Sequence, residues 1–175
     1  MRTATDLLSQ YAVCHRDRRN ILSHFVGVPL IVFAIGVLLA RPHMPVQGLV
    51  VTPAWILFAL AAMWYVTRGA LGLGIATSAA VGGLIVLAHA AADASLAVRL
   101  AWGIAGFVVG WIIQFVGHWY EGKKPAFVDD LVGLLVGPMF VVAEVLFMLG
   151  WNRPLLEEIE RRVGPTSLRD LAKIA

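Results

Sequence analysis

The sequence predicts an all-α protein, a polytopic membrane helix bundle of about five hydrophobic segments followed by a C-terminal amphipathic helix. Three observations carry this. Hydrophobic residues make up 59% of the chain and charged residues 14%, whereas soluble domains run near half and a quarter. The mean hydropathy is +0.80. The apolar residues also gather into stretches comparable with the roughly 20 residues that span a bilayer core.

Those stretches run roughly over 25–40, 52–66, 71–92, 100–117 and 131–150. The first two are short for a crossing. The second ends on Trp64-Tyr65, the fourth is flanked by Trp102 and Trp119-Tyr120, and the fifth is followed by Trp151, placements that suit interface anchors. Gly103, Gly106, Gly110, Gly133 and Gly137 have the small-residue spacings that permit close helix contact. Arg16, Arg18 and Arg19 precede the first segment and Lys123-Lys124 follow the fourth. Four crossings between them put both clusters, and the N-terminus, on the cytoplasmic side. The basic tail belongs there too, so two readings of the fifth segment stay open: a full crossing, or a hairpin broken at Pro138. Pro154 opens an amphipathic helix over 155–163, closed by Gly164 and suited to the membrane surface. The chain thus divides at 1–152, the membrane domain, and 153–175, the tail.

A chain of 175 residues spent mostly on spanning leaves no room for a separate soluble catalytic domain. The net charge of +3 sits at the segment ends, which favours anionic headgroups over nucleic acid as partner. The lone Cys14 excludes an internal disulfide and a thiolate metal cluster. The 24 residues before the first apolar run, rich in polar and charged side chains, argue against a cleaved signal peptide. There is no H-E-x-x-H, nucleophile elbow, phosphate-binding glycine loop or Cys-x-x-Cys.

Polar residues beside or within apolar segments are costly, and so mark functional candidates. In this topology His15, His24 and His118 share the cytoplasmic rim, while His43 and His89 fall on the outer side. Gln114 and His118 are spaced i,i+4 and His118 and Glu121 i,i+3, so all three project from one helix side. His15 and His24, nine residues apart, converge only if the chain turns between them, and Asn20 is the expected turning point. Glu144 lies inside the fifth segment, where it either pairs with an arginine or serves function. Imidazoles with a carboxylate and open positions suit non-haem Fe(II), zinc or manganese alike. Ordinary interfacial hydrogen bonding remains the competing reading for each histidine, and an interface aromatic for Tyr11.

Tyr11, His15, Asn20, His24 and Pro29, followed by Gln114-Phe115-Val116-Gly117-His118, Glu121, Pro125-Ala126, Asp129, Pro138 and Glu144, resemble the Mpo1-like 2-hydroxy fatty acid dioxygenase membrane family over roughly 7–150. The resemblance implies an Fe(II)-dependent oxidoreductase that uses O2 to shorten a 2-hydroxy fatty acid by one carbon. It implies His15, His24 and His118 as ligands of Fe(2+). Glu121 and Glu144 become a further ligand or orienting groups, and Lys124 or a nearby arginine holds the substrate carboxylate. Gln114, Asn20 and Tyr11 complete the candidate site. The residue usage hints at a bacterial source, hence an inner membrane; a eukaryotic chain would sit in the endoplasmic reticulum. A homo-oligomer stays open. The alternative is a non-catalytic scaffold or small transporter with a polar path through Glu144.

Overall fold

The computed structural model describes residues 2–128 and 130–171. Asp129, noted above, lies outside them. Among the described residues seven α-helices form in order: α1 (Ala4–Ala12), α2 (Arg18–Leu39), α3 (Pro53–Val66), α4 (Leu71–Ala92), α5 (Leu96–Glu121), α6 (Gly133–Met148) and α7 (Arg153–Val163). Local chemistry sets most ends. The side chains of Thr3, Asp17, Thr52, Ser95 and Asn152 each accept a backbone N–H of the first turn. Gly122, at φ 69°, closes α5. Between α2 and α3 a short antiparallel hairpin, β1 (Met44–Val46) with β2 (Leu49–Val51), turns through Gln47-Gly48, both at positive φ. The sequence reading did not anticipate it.

Three helices, α2, α4 and α5, are long and apolar enough to cross a membrane, or four if the bent pair α6–α7 counts as one span. At 14 residues α3 is about 21 Å long, short of a hydrocarbon core of about 30 Å. α2 is the centre of the bundle. It packs on α5, α4, α3 and α6, while α5 has α2 as its one substantial helical neighbour among the described residues. The α2–α5 contact is antiparallel and built on glycine: a Cβ on Gly110 would stand 2.6 Å from Ile31 Cγ1 and 3.1 Å from the Gly27 carbonyl oxygen. Gly106 meets Ala34 and Leu30 and Gly103 meets Leu38 along the same seam. Gly110→Val should therefore force the helices apart and cost about 1–3 kcal/mol, a loss of overpacking type readable as a lowered Tm of the detergent-solubilised protein.

Two expectations are corrected. The fifth segment does not break at Pro138, because α6 runs unbroken through it. Pro138 lies early in the helix, where its missing N–H removes one bond, to the Leu134 carbonyl, and the flanking Val136, Gly137, Met139 and Phe140 are all buried. The break comes later, at 149–152, where Gly150 and Asn152 take positive φ and the chain bends by 117° into α7. Nor does α6 carry the chain to the opposite end of the bundle. Near its start Gly137 faces Tyr11 and Val28, and beyond its end Trp151 reaches Gly72 at the start of α4. Both places lie at the end of the bundle that carries the 16–19 and 123–124 clusters. The second correction concerns Asn20. The chain turns at 13–17, ahead of α2, because Asp17 caps the helix and leaves Asn20 as its third residue.

Candidate metal centre

The turn between α1 and α2 carries His15, and one side of α2 carries His24. His15 Nδ1 lies 2.6 Å from the Tyr11 carbonyl oxygen and His24 Nδ1 lies 2.9 Å from that of Asn20. A carbonyl only accepts, so each ring must be protonated at Nδ1. Both Nε2 atoms are then bare lone pairs, and they face each other at 2.9 Å. Burial first, then the neighbouring His24 and His118 rings, hold the His15 pKa well below the ordinary histidine range. A proton shared between the rings is thereby disfavoured, and a bound cation would relieve the two opposed lone pairs. Two ligand nitrogens at about 2.1 Å from one metal and about 90° apart stand ~3 Å from each other, the separation seen here.

His118 completes the group from α5. Its ring centroid lies 4.8 Å from that of His15 and 5.2 Å from that of His24. One nitrogen from each of the three falls within 4.8 Å of the others, and all three residues are buried. His118 Nδ1 is buried and has no hydrogen-bond partner among the described residues, which leaves the ring free to present a nitrogen to an ion. The set could hold a metal ion, and its all-imidazole chemistry suits iron, zinc or copper better than magnesium or calcium.

Around the histidines, Tyr11 stacks on His15 with centroids 4.0 Å apart and planes 4° from parallel, and Phe140 of α6 covers His15 at 5.3 Å. Glu121 takes no direct part in the cluster. Its two carboxylate oxygens accept the backbone N–H of Arg16 at 3.0 Å each, and one accepts that of Asp17 at 2.7 Å and Asn20 Nδ2 at 3.3 Å. Asn20 Nδ2 also donates to the Cys14 carbonyl at 2.8 Å. The pair clamps the histidine turn onto the end of α5. Glu144 lies one step further out, 3.8 Å from Arg16 Nη2, while Arg16 Nε donates to the carbonyls of Ala12 and His15. Lys124 is exposed on the loop after α5 and does not itself line the cavity, although Pro125 and Ala126 next to it do. His89, at the far end, hydrogen-bonds Thr52 and the Ile85 carbonyl and stacks on Trp55. His43 is exposed beside Arg41.

A cavity of about 200 Å³ opens from the histidines into the bundle. His24, Val28, Ile31 and Ile35 form one wall on α2, and His118, Gln114, Trp111 and Phe107 form the other on α5. Each ladder spans twelve residues, about 16 Å of helix from end to end. The polar groups sit at one end and the rest is hydrocarbon. Trp111 was legible in the sequence, three residues before Gln114 on the same face, but its aromatic neighbours Phe107 and Phe115 gave no reason to single it out.

The tail adds a strap that sequence reasoning missed. Arg18 N–H donates to the Ser167 carbonyl at 3.0 Å and Ser167 N–H to that of Arg16 at 2.8 Å, a short parallel bridge. Arg169 N–H adds a 2.8 Å bond to Asp17 Oδ2, and Arg16 Nη1 donates to the Gly164 carbonyl at 3.1 Å. Removing residues 165–175 should therefore loosen the histidine turn, with metal affinity falling about 10-fold as for a lost outer partner; chelator competition on the truncated protein checks this.

Residues 1–149 match the family described as 2-hydroxy-palmitic acid dioxygenase Mpo1-like. A curated relative, the 2-hydroxy-palmitic acid dioxygenase MPO1 of Saccharomyces cerevisiae, is 32% identical over 161 residues, covering 89% of this chain and 88% of its own length. No solved structure matches the chain. The three histidines, the Glu121–Asn20 clamp and both walls of the cavity all lie within the matched region: the chain belongs to the Mpo1-like family.

Proposed function

We propose that this protein is an Fe(II)-dependent dioxygenase that shortens 2-hydroxy fatty acids by one carbon, with His15, His24 and His118 as the ligands of Fe(2+). The observation that carries the reading is the opposed Nε2 pair at 2.9 Å with His118 beside it. Three neutral imidazoles leave coordination positions for oxygen donors, and bound Fe(II) would supply the redox chemistry that O2 requires. The protein's own residues do the rest. The Tyr11 and Asn20 carbonyls fix the tautomers of His15 and His24. Glu121 holds the turn, and the buried Arg16 lends positive charge beside the site. The apolar walls receive an acyl chain lengthwise and exclude water from its reactive end.

Five membrane segments, with α7 as a surface helix, and a cytoplasmic metal site belong to the same proposal. It is supported by the basic clusters meeting at the histidine end, where Gly164, Ser167 and Arg169 of the tail strap the turn at 16–18. An acyl substrate would enter from the bilayer, since α5 leans on α2 and exposes Val108, Ile112 and Phe115 outward. The test is anaerobic loading of the purified protein with Fe(II), then addition of O2 and 2-hydroxypalmitate carrying a labelled carboxyl carbon. Oxygen uptake with release of that carbon and a one-carbon-shorter acid is expected. Iron binding without any product would sink the reading. The transporter alternative has less to stand on, because Glu144 is matched to Arg16 and the buried interior beyond Val28 on α2, at Ala34 and Val37, is apolar.

A further inference from the structure

Apart from His118 Nδ1, assigned above to the metal, one buried polar atom among the described residues lining the cavity has no answering group. Gln114 is 5% exposed, lines the cavity, and its Oε1 has no hydrogen-bond partner there. Buried amides are rarely left so; the other such oxygen, Asn20 Oδ1, belongs to the clamp of the histidine turn and not to the cavity lining. The unpartnered hydroxyls of Ser9 and Thr77 differ, since a helical serine or threonine can turn to a carbonyl of the preceding turn; a glutamine amide here cannot. Its place is built: a Cβ on Gly27 across the seam would stand 3.2 Å from Gln114 Cγ and Cδ, so glycine there is what admits the side chain. Gln114 lies one turn from His118, about 6 Å further along α5, where the polar end of the cavity gives way to Trp111 and Phe107.

We propose that Gln114 reads the 2-hydroxyl of the substrate and is the residue that separates 2-hydroxy from unsubstituted fatty acids. This rests on the dioxygenase reading. With the carboxyl end at the histidines and the chain along the ladders, the second carbon falls beside the amide. A carboxylate only accepts and cannot satisfy Oε1, whereas a hydroxyl donates to Oε1 and can also accept from Nε2. An unsubstituted acid offers neither and leaves the amide unpaired, the arrangement by which a site rejects a ligand lacking one hydroxyl.

The experiment is a binding measurement on the full-length, iron-loaded protein under anaerobic conditions, so that nothing turns over. Fluorescence of Trp111, isolated by subtracting a Trp111→Phe protein, reports affinity for 2-hydroxypalmitate and for palmitate. The wild type should prefer the hydroxy acid. Gln114→Met should shrink that preference about tenfold, the worth of one buried hydrogen bond, by weakening the hydroxy acid while palmitate affinity moves less than about twofold. Gln114→Leu should do the same, with iron content unchanged in both. A preference untouched by either variant overturns the proposal, as does equal weakening of both ligands or loss of iron from both variants, which would make Gln114 a structural residue. A wild type that binds both acids equally would instead count against the dioxygenase reading itself, and this inference would fall with it.

Discussion

Replacing His118 by alanine should abolish metal retention, lowering affinity by more than about 100-fold, beyond the 10–100-fold typical of residues that only orient a ligand. The remaining pair, His15 and His24, keep their facing lone pairs but lose the third donor that closes the site. Elemental analysis of wild type, His118→Ala and His89→Ala, purified side by side, reads the result. His89 is the matched control, an imidazole on a long apolar helix whose ring nitrogens are already used by Thr52 and the Ile85 carbonyl. The His118→Ala protein should lack metal and the His89→Ala protein keep it. Equal metal in all three would refute the histidine cluster as the binding site.

Glu121→Ala should be nearly as damaging for a different reason. The carboxylate is the partner of the Arg16 and Asp17 backbone N–H groups. Alanine leaves both donors buried and unpaired, at about 1–3 kcal/mol each. The turn that aims His15 would relax, so metal affinity should fall by about 10–100-fold together with Tm. Glu121→Gln keeps one acceptor oxygen and turns an NH2 toward the donors, and should lie between. If Glu121 were itself a ligand, Gln and Ala would lose metal alike while Tm followed metal occupancy alone. Thermal unfolding in excess chelator separates the two roles: the clamp predicts a lowered Tm for Glu121→Ala even without metal.

Much of this was readable from residue order. The apolar stretches near 71–92 and 100–117 became α4 and α5, since hydrocarbon of that length has few other uses. The spacing of Gln114, His118 and Glu121 placed all three on the buried side of α5, because helical periodicity is a local property. His43 and His89 fell at the far end, as the alternation of segments required.

What the tertiary structure decided were matters of chain direction and of pairing between distant residues. Pro138 is tolerated because the helix loses one bond there while packing holds the rest, a balance no local rule exposes. Glu121 reads equally well as ligand or brace until the backbone amides of a turn 105 residues away are seen to occupy it. The tail's bonds to residues 16–18 join the two ends of the chain, and no periodicity records them. The sequence by itself determined the solvent, the long apolar helices and the shared rim of three histidines, because composition, charge placement and local spacing govern those. Only the tertiary structure decided which nitrogens face one another, which carboxylate is already satisfied and which amide waits for a partner, because those depend on contacts between segments that are remote in sequence.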